Sequence, residues 1–173
     1  AVGEIYWGRV NIEKSMQYYN EALTIFDEIN DKNGLGHTYR DIGNLTAMKG
    51  ELDNAIIYYG NSQDAFIELG DDIESERTLN NIGNVSIGIG DYAKAKTSLE
   101  ASLMLNTSHD NKNGLWRNYK NLAYLYRVLE DYENALKYIN LARNIEISLD
   151  FAPTTLAYSL YFIGETYYKM NLF

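Results

Sequence analysis

The side chains best equipped for chemistry in this 173-residue chain are two histidines, fifteen Lys and Arg, and a set of asparagines. Their spacing points to recognition rather than reaction. His37 and Asp41 stand at helical spacing and could touch a metal, but two ligands do not complete a site, and no nucleophile lies beside His37. His109 sits in a polar connector, and the absence of Cys removes both thiolate ligands and disulfides. No glycine-rich loop links a strand to a helix, as a phosphate cradle requires. The chain is therefore expected to have no catalytic, metal or cofactor site and not to be an enzyme. What remains recurs at offsets of three and four: His37, Arg40, Asn44 and Met48; Arg77, Asn80, Asn84 and Gly88; Arg117, Lys120, Tyr124 and Arg127; then Tyr158, Tyr161, Glu165 and Tyr168, with Lys169 beside it. Offsets of three and four place each set on one face of a helix.

The elements that carry these faces follow from a repeat. From Arg117 to Ala142, two apolar patterns of helical period, Tyr119-Leu122-Ala123-Tyr126 and Tyr132-Ala135-Leu136-Ile139-Ala142, flank the acidic turn at Glu130-Asp131. Asp131 is a good N-cap, so the unit reads as a helical hairpin. Small residues recur at Gly3, Gly43, Gly83, Ala123 and Gly164, at a constant step that gains one position in its last interval. Bulky ones recur beside them, at Tyr19, Tyr59, Leu99 and Ile139 and at Ile42, Ile82, Leu122 and Ile163. A lone hairpin cannot bury its apolar face, so neighbours must stack. The spacing predicts helices near 5–9, 14–28, 35–49, 52–69, 73–89, 92–107, 115–129, 132–149 and 154–170, with Asn30 to Gly34 a connector and Pro153 in a connector one position longer. Tyr126 and Tyr167 are expected to face the seam between hairpins. The whole chain, 1–173, is expected to be one array of about four repeats plus the first helix of a fifth, and a piece of a longer protein.

The small-residue ladder and the GDYAKA and EDYENA turns at Gly90 to Ala95 and Glu130 to Ala135 resemble tetratricopeptide repeats. The period of 40, with Ile42-Gly43-Asn44 and Ile82-Gly83-Asn84, is similar to the longer-helix branch that includes kinesin light chain, Pins-type adaptors and bacterial sensor or peptide-receptor arrays. The resemblance implies an all-α, right-handed superhelical solenoid of antiparallel helix pairs. It also implies that the leftover face of each first helix lines a concave groove, with Glu4 and Trp7 contributed by the first repeat. Arg40, Asn44, Asn84 and Lys120 stand at four places of the carboxylate-clamp pattern of chaperone-binding members, and Tyr124 occupies the fifth, with Arg127 one turn away.

Charge sharpens that reading. The chain has 15 Lys and Arg against 24 Asp and Glu, a net of −9. The groove set has Arg40, Arg77, Arg117, Lys120, Arg127 and Lys169 against Glu4 and Glu165, six minus two, leaving nine minus 22 elsewhere. A positive face on an acidic body attracts anionic ligands. Binding of an acidic or carboxylate-bearing protein segment is expected at His37, Arg40, Asn44, Arg77, Asn80, Asn84, Arg117, Lys120, Tyr124, Arg127, Tyr161 and Tyr168, with the asparagines fixing its main chain. Two other roles fit the same repeats: the regulatory input domain of a bacterial signalling protein or peptide-pheromone receptor, and a self-assembly module, with a homodimer through the C-terminal helix from Tyr158 to Phe173. No nucleic-acid partner is expected, since the overall acidity repels it. Apolar runs too short to span a bilayer exclude the membrane, and with no signal-peptide pattern a cytoplasmic location is expected.

Overall fold

In the computed structural model, which describes the backbone of residues 2–171 and the side chains of residues 12–171, eight helices follow one another. They are α1 (Val2–Glu28), α2 (Lys32–Met48), α3 (Leu52–Leu69), α4 (Asp72–Ile89), α5 (Tyr92–Ser108), α6 (Lys112–Val128), α7 (Tyr132–Ser148) and α8 (Pro153–Met170). Three pairs, α2 with α3, α4 with α5 and α6 with α7, stack through α3 on α4 and α5 on α6, while α1 and α8 flank the stack. The chain is an all-α repeat solenoid.

Caps set the boundaries. Asp31, Asp71, Asp91, Asn111 and Asp131 each accept backbone N–H groups from the first turn that follows, satisfying donors that a helix start leaves open. Bonds from Gly34 N to Asp31 Oδ1 and from Gly114 N to Asn111 Oδ1 start α2 and α6 earlier than the periodicity suggests, at Lys32 and Lys112. Gly34 is thus part of a first turn and not of a connector. It has to be small, because a Cβ there would run into the Phe26 ring. Pro153 opens α8 at the position where a missing N–H costs nothing, with Ala152 extended before it at φ −51° and ψ 139°.

The first repeat differs from expectation. Instead of two helices broken after Arg9, α1 is continuous from Val2 to Glu28. The other hairpins turn at a left-handed residue, Gly50, Gly90 or Glu130, at φ 82°, 82° and 60°. One repeat before Gly50 stands Val10, whose branched Cβ disfavours that conformation. The helix therefore runs on.

The ladder marks close approach inside each hairpin. A Cβ on Gly43 would lie 2.7 Å from Tyr59 Cε1, so the Tyr59 ring packs directly on the α2 backbone. Ala55, Leu99, Leu122, Leu125, Ala135 and Ala142 are fully buried. Tyr126 faces the seam, packed against the core cluster that includes Ile87 and Leu99 of the preceding hairpin, and it stacks on Tyr138 of its own hairpin with centroids 5.4 Å apart and planes 6° off parallel. Tyr167 does not: it is 52% exposed. Only Ser159 and Thr166 are buried in α8, so its seam face lies one position before Tyr167.

Candidate functional site

The even-numbered helices lie side by side. Asn81 of α4 donates to Asn44 of α2 (3.2 Å), Asn121 of α6 donates to Asn80 of α4 (2.9 Å), and the Arg127 guanidinium of α6 sits 4.0 Å over the Phe162 ring of α8. This row carries every sequence-predicted site residue, since all twelve fall on α2, α4, α6 and α8. Their surroundings divide the row into two unlike ends.

At the α2–α4 end the cations are already paired. Glu74, in the first turn of α4 and with its side chain 12% exposed, bonds Arg40 through Oε2 and Arg77 through Oε1 (2.6 Å). Arg40 also lies 3.0 Å from His37 Nδ1 and over the Phe66 ring at 5.6 Å. His37 Nδ1 is 3.9 Å from Glu74 Oε2, so the imidazole belongs to this cluster rather than to Asp41. Asp41 instead lies beside Tyr19, whose hydroxyl is pushed up by burial and then by the Asp41 charge. Among the described residues no group of three metal-ligating side chains forms.

Next along the row, Arg117 Nη2 is 3.5 Å from Oε2 of Glu76, whose side chain is only 2% exposed. Glu76 Oε1 also accepts from Ser102 Oγ at 3.3 Å, and Ser102 shares the Asn118 carboxamide. The asparagines are engaged too. Asn44 accepts from Tyr59 Oη (2.8 Å) as well as Asn81, and Asn80 is 4% exposed. These two carboxamides tie hairpins together. Asn84 is the exception, exposed and with no bond among the described residues.

The α6–α8 end is built from rings. Lys120 Nζ lies 4.8 Å over Trp116, whose Nε1 donates to Glu146 (2.8 Å) and whose ring meets Phe151 edge-on at 5.1 Å. Arg127 is held between Phe162 and Tyr124, 5.6 Å from the latter. Among the described residues Lys120, Arg127 and Lys169 make no ion pair. Tyr158 and Tyr161, 72% and 65% exposed, line a cleft of about 450 Å³ with Thr154 and Ala157. Tyr168 is exposed one turn beyond Glu165. Glu4, Trp7 and Phe173 lie outside the residues whose side chains are described.

Sequence reasoning missed Glu74, Glu76, Trp116 and Phe162. Glu74 was within reach of it, because extending the Arg77 face one turn toward the N-terminus arrives there. With Glu74 and Glu76 counted and Glu4 left aside, the face carries six cations against three carboxylates, Glu74, Glu76 and Glu165.

Residues 76–109 match the model of the tetratricopeptide repeat family. No curated protein matches the chain. Several solved structures do. The BtubC (BKLC) structure from P. vanneervenii is 20% identical with a TM-score of 0.88, over 97% of this chain and 70% of that one. A Signal Transduction ATPase with Numerous Domains protein from Pyrococcus horikoshii, described as having a tetratricopeptide repeat sensor, is 20% identical with a TM-score of 0.83; the match covers 96% of this chain and 26% of that one. The apo form of RapI is 15% identical with a TM-score of 0.85, over 98% and 61%. Residues 76–109 are a tetratricopeptide repeat, and the helix pairs around them complete an array of the tetratricopeptide fold.

Proposed function

We propose that this chain is a non-enzymatic protein-interaction module whose row of even-numbered helices binds an extended acidic segment of a partner. The observation that carries the reading is a face with more cations than carboxylates, six against three among the residues whose side chains are described, on a chain of net charge −9. Unpaired Lys120 and Arg127 would meet carboxylates, and exposed Asn84 would meet a main-chain group. Titration with acidic peptides, free-carboxylate and amidated, tests this by fluorescence anisotropy at low and high salt. Binding near micromolar, about −8 kcal/mol, that weakens with salt is the expected result. No binding by any acidic peptide at low salt overturns the reading.

A second reading is favoured by the Pyrococcus horikoshii structure, a protein described as having a tetratricopeptide repeat sensor. Here the array would be the input domain of a signalling protein, as in a peptide receptor, and its ligand would shift an equilibrium between two states. A ligand-dependent change in small-angle scattering would support that role. Self-association through α8 is a third reading, resting on exposed Leu160, Tyr161, Tyr167 and Tyr168. Light scattering that shows a monomer at high concentration excludes it.

A further inference from the structure

Taking the helix row as the peptide-binding face, we infer that the acidic segment is held at one end only, on α6 and α8, and that it must carry a bulky apolar side chain next to its carboxylate. The argument rests on what each cation already touches. Arg40 and Arg77 share the two oxygens of Glu74, and the Arg40 side chain is 14% exposed. A ligand carboxylate arriving there would face the Glu74 charge and would have to displace a bond already made. Arg117 Nη2 faces Glu76 Oε2 at 3.5 Å, an ion pair in which neither atom has a hydrogen bond among the described residues. These internal carboxylates fill the α2–α4 end of the row as a ligand would.

Lys120 and Arg127 are oriented differently. Aromatic faces hold both, and a ring positions a cation through its quadrupole without cancelling its charge. Both therefore keep their attraction for an anion and lose less side-chain freedom on binding it. Tyr161 stands one repeat after Lys120, in the same register on the next helix of the row. Beside it the Tyr158–Tyr161 cleft offers apolar walls and a volume of about 450 Å³, room for a large side chain. Glu165, at the register of Tyr124, is the carboxylate of the α8 face and repels acid there. The charges thus set an order across the row, with the ligand's acid on α6 and its apolar group on α8. The occupant is a partner's extended acidic segment containing a large aliphatic or aromatic residue.

Two fluorescent nonapeptides, acetylated and amidated, provide the test: Asp and Glu throughout with a central Leu, and the same with a central Ser. Lys120→Gln with Arg127→Gln should weaken the Leu peptide about tenfold or more. Tyr161→Ala, at a side chain that supports no core, should weaken the Leu peptide about fivefold and leave the Ser peptide unchanged. Arg77→Gln should change neither by more than about twofold. Circular dichroism confirms that each variant is folded. Loss of binding in Arg77→Gln, with Lys120→Gln and Arg127→Gln neutral, would overturn the location while leaving the peptide-binding face intact. Equal binding of Leu and Ser peptides would overturn the apolar requirement. If neither peptide binds at low salt, the location and the underlying reading both fail.

Discussion

Arg117 illustrates how one side chain can serve the core and face a groove. Its guanidinium lies 3.5 Å from a Glu76 carboxylate that is almost wholly buried, so removing it leaves a charge with no counter-ion. Breaking a fully buried pair costs about 3–5 kcal/mol, and because the Arg117 side chain is 37% exposed the cost here is discounted. Arg117→Ala is expected to lower stability by about 2 kcal/mol in urea denaturation, whatever it does to binding. Tyr59 gives a pH-dependent counterpart. Burial pushes its hydroxyl up to about 12, against a smaller opposing pull from Arg40. Since the folded value lies above the unfolded one, the contribution is complete below about pH 10 and is lost as pH rises toward about 12. Alkaline denaturation should therefore show a loss of stability in that window, reduced in Tyr59→Phe. Asn44 teaches a related point about amides. A carboxamide that looks free in sequence is bonded twice, because the next hairpin brings Asn81 to it.

Helix ends decide how closely the elements follow the periodic pattern. Left-handed residues recur about every twenty positions, and aspartate or asparagine caps follow most of them, so most boundaries could be read to within a few positions. Where the pattern lapses, the structure departs from it: Val10 replaces a residue able to turn, and α1 runs on as a single helix. Glu130 occupies the same turn position at φ 60°, where Gly50 and Gly90 stand in the other hairpins. Glycine has no Cβ to strain there, so Glu130→Gly is expected to stabilise by about 0.5–1 kcal/mol, read as a raised melting temperature. The connector reading of Gly34 failed because a glycine usually ends a helix, whereas here Asp31 caps a turn that includes it, and Phe26 leaves no room there for a side chain.

At the scale of the whole molecule, each hairpin leans only on its neighbours, so stability is shared unevenly along the stack. Nine residues of α4 are buried, from Ser75 to Ile87, against two of α8. Native-state hydrogen exchange should find amides of α4 to α6 the slowest and those of α8 the fastest among the helices from α2 onward. The unequal ends of the helix row belong to this scale as well. One end is closed by the molecule's own carboxylates and the other is presented on rings, so a ligand seated on α6 and α8 should slow exchange in α8 most.

The sequence by itself determined the repeat, because period, caps and small-residue ladder are local patterns that each hairpin must satisfy to stack. It also placed Arg40, Arg77, Lys120 and Arg127 on the even-numbered helices, since helical periodicity does so without reference to anything distant. Only the tertiary structure decided which of those charges are free. Glu74 of α4 meets Arg40 of α2, Arg127 of α6 meets Phe162 of α8, and Trp116 of α6 meets Glu146 at the far end of α7. Pairing between positions so far apart in the chain depends on how one hairpin is laid on the next, and a periodic pattern fixes the faces without fixing their partners.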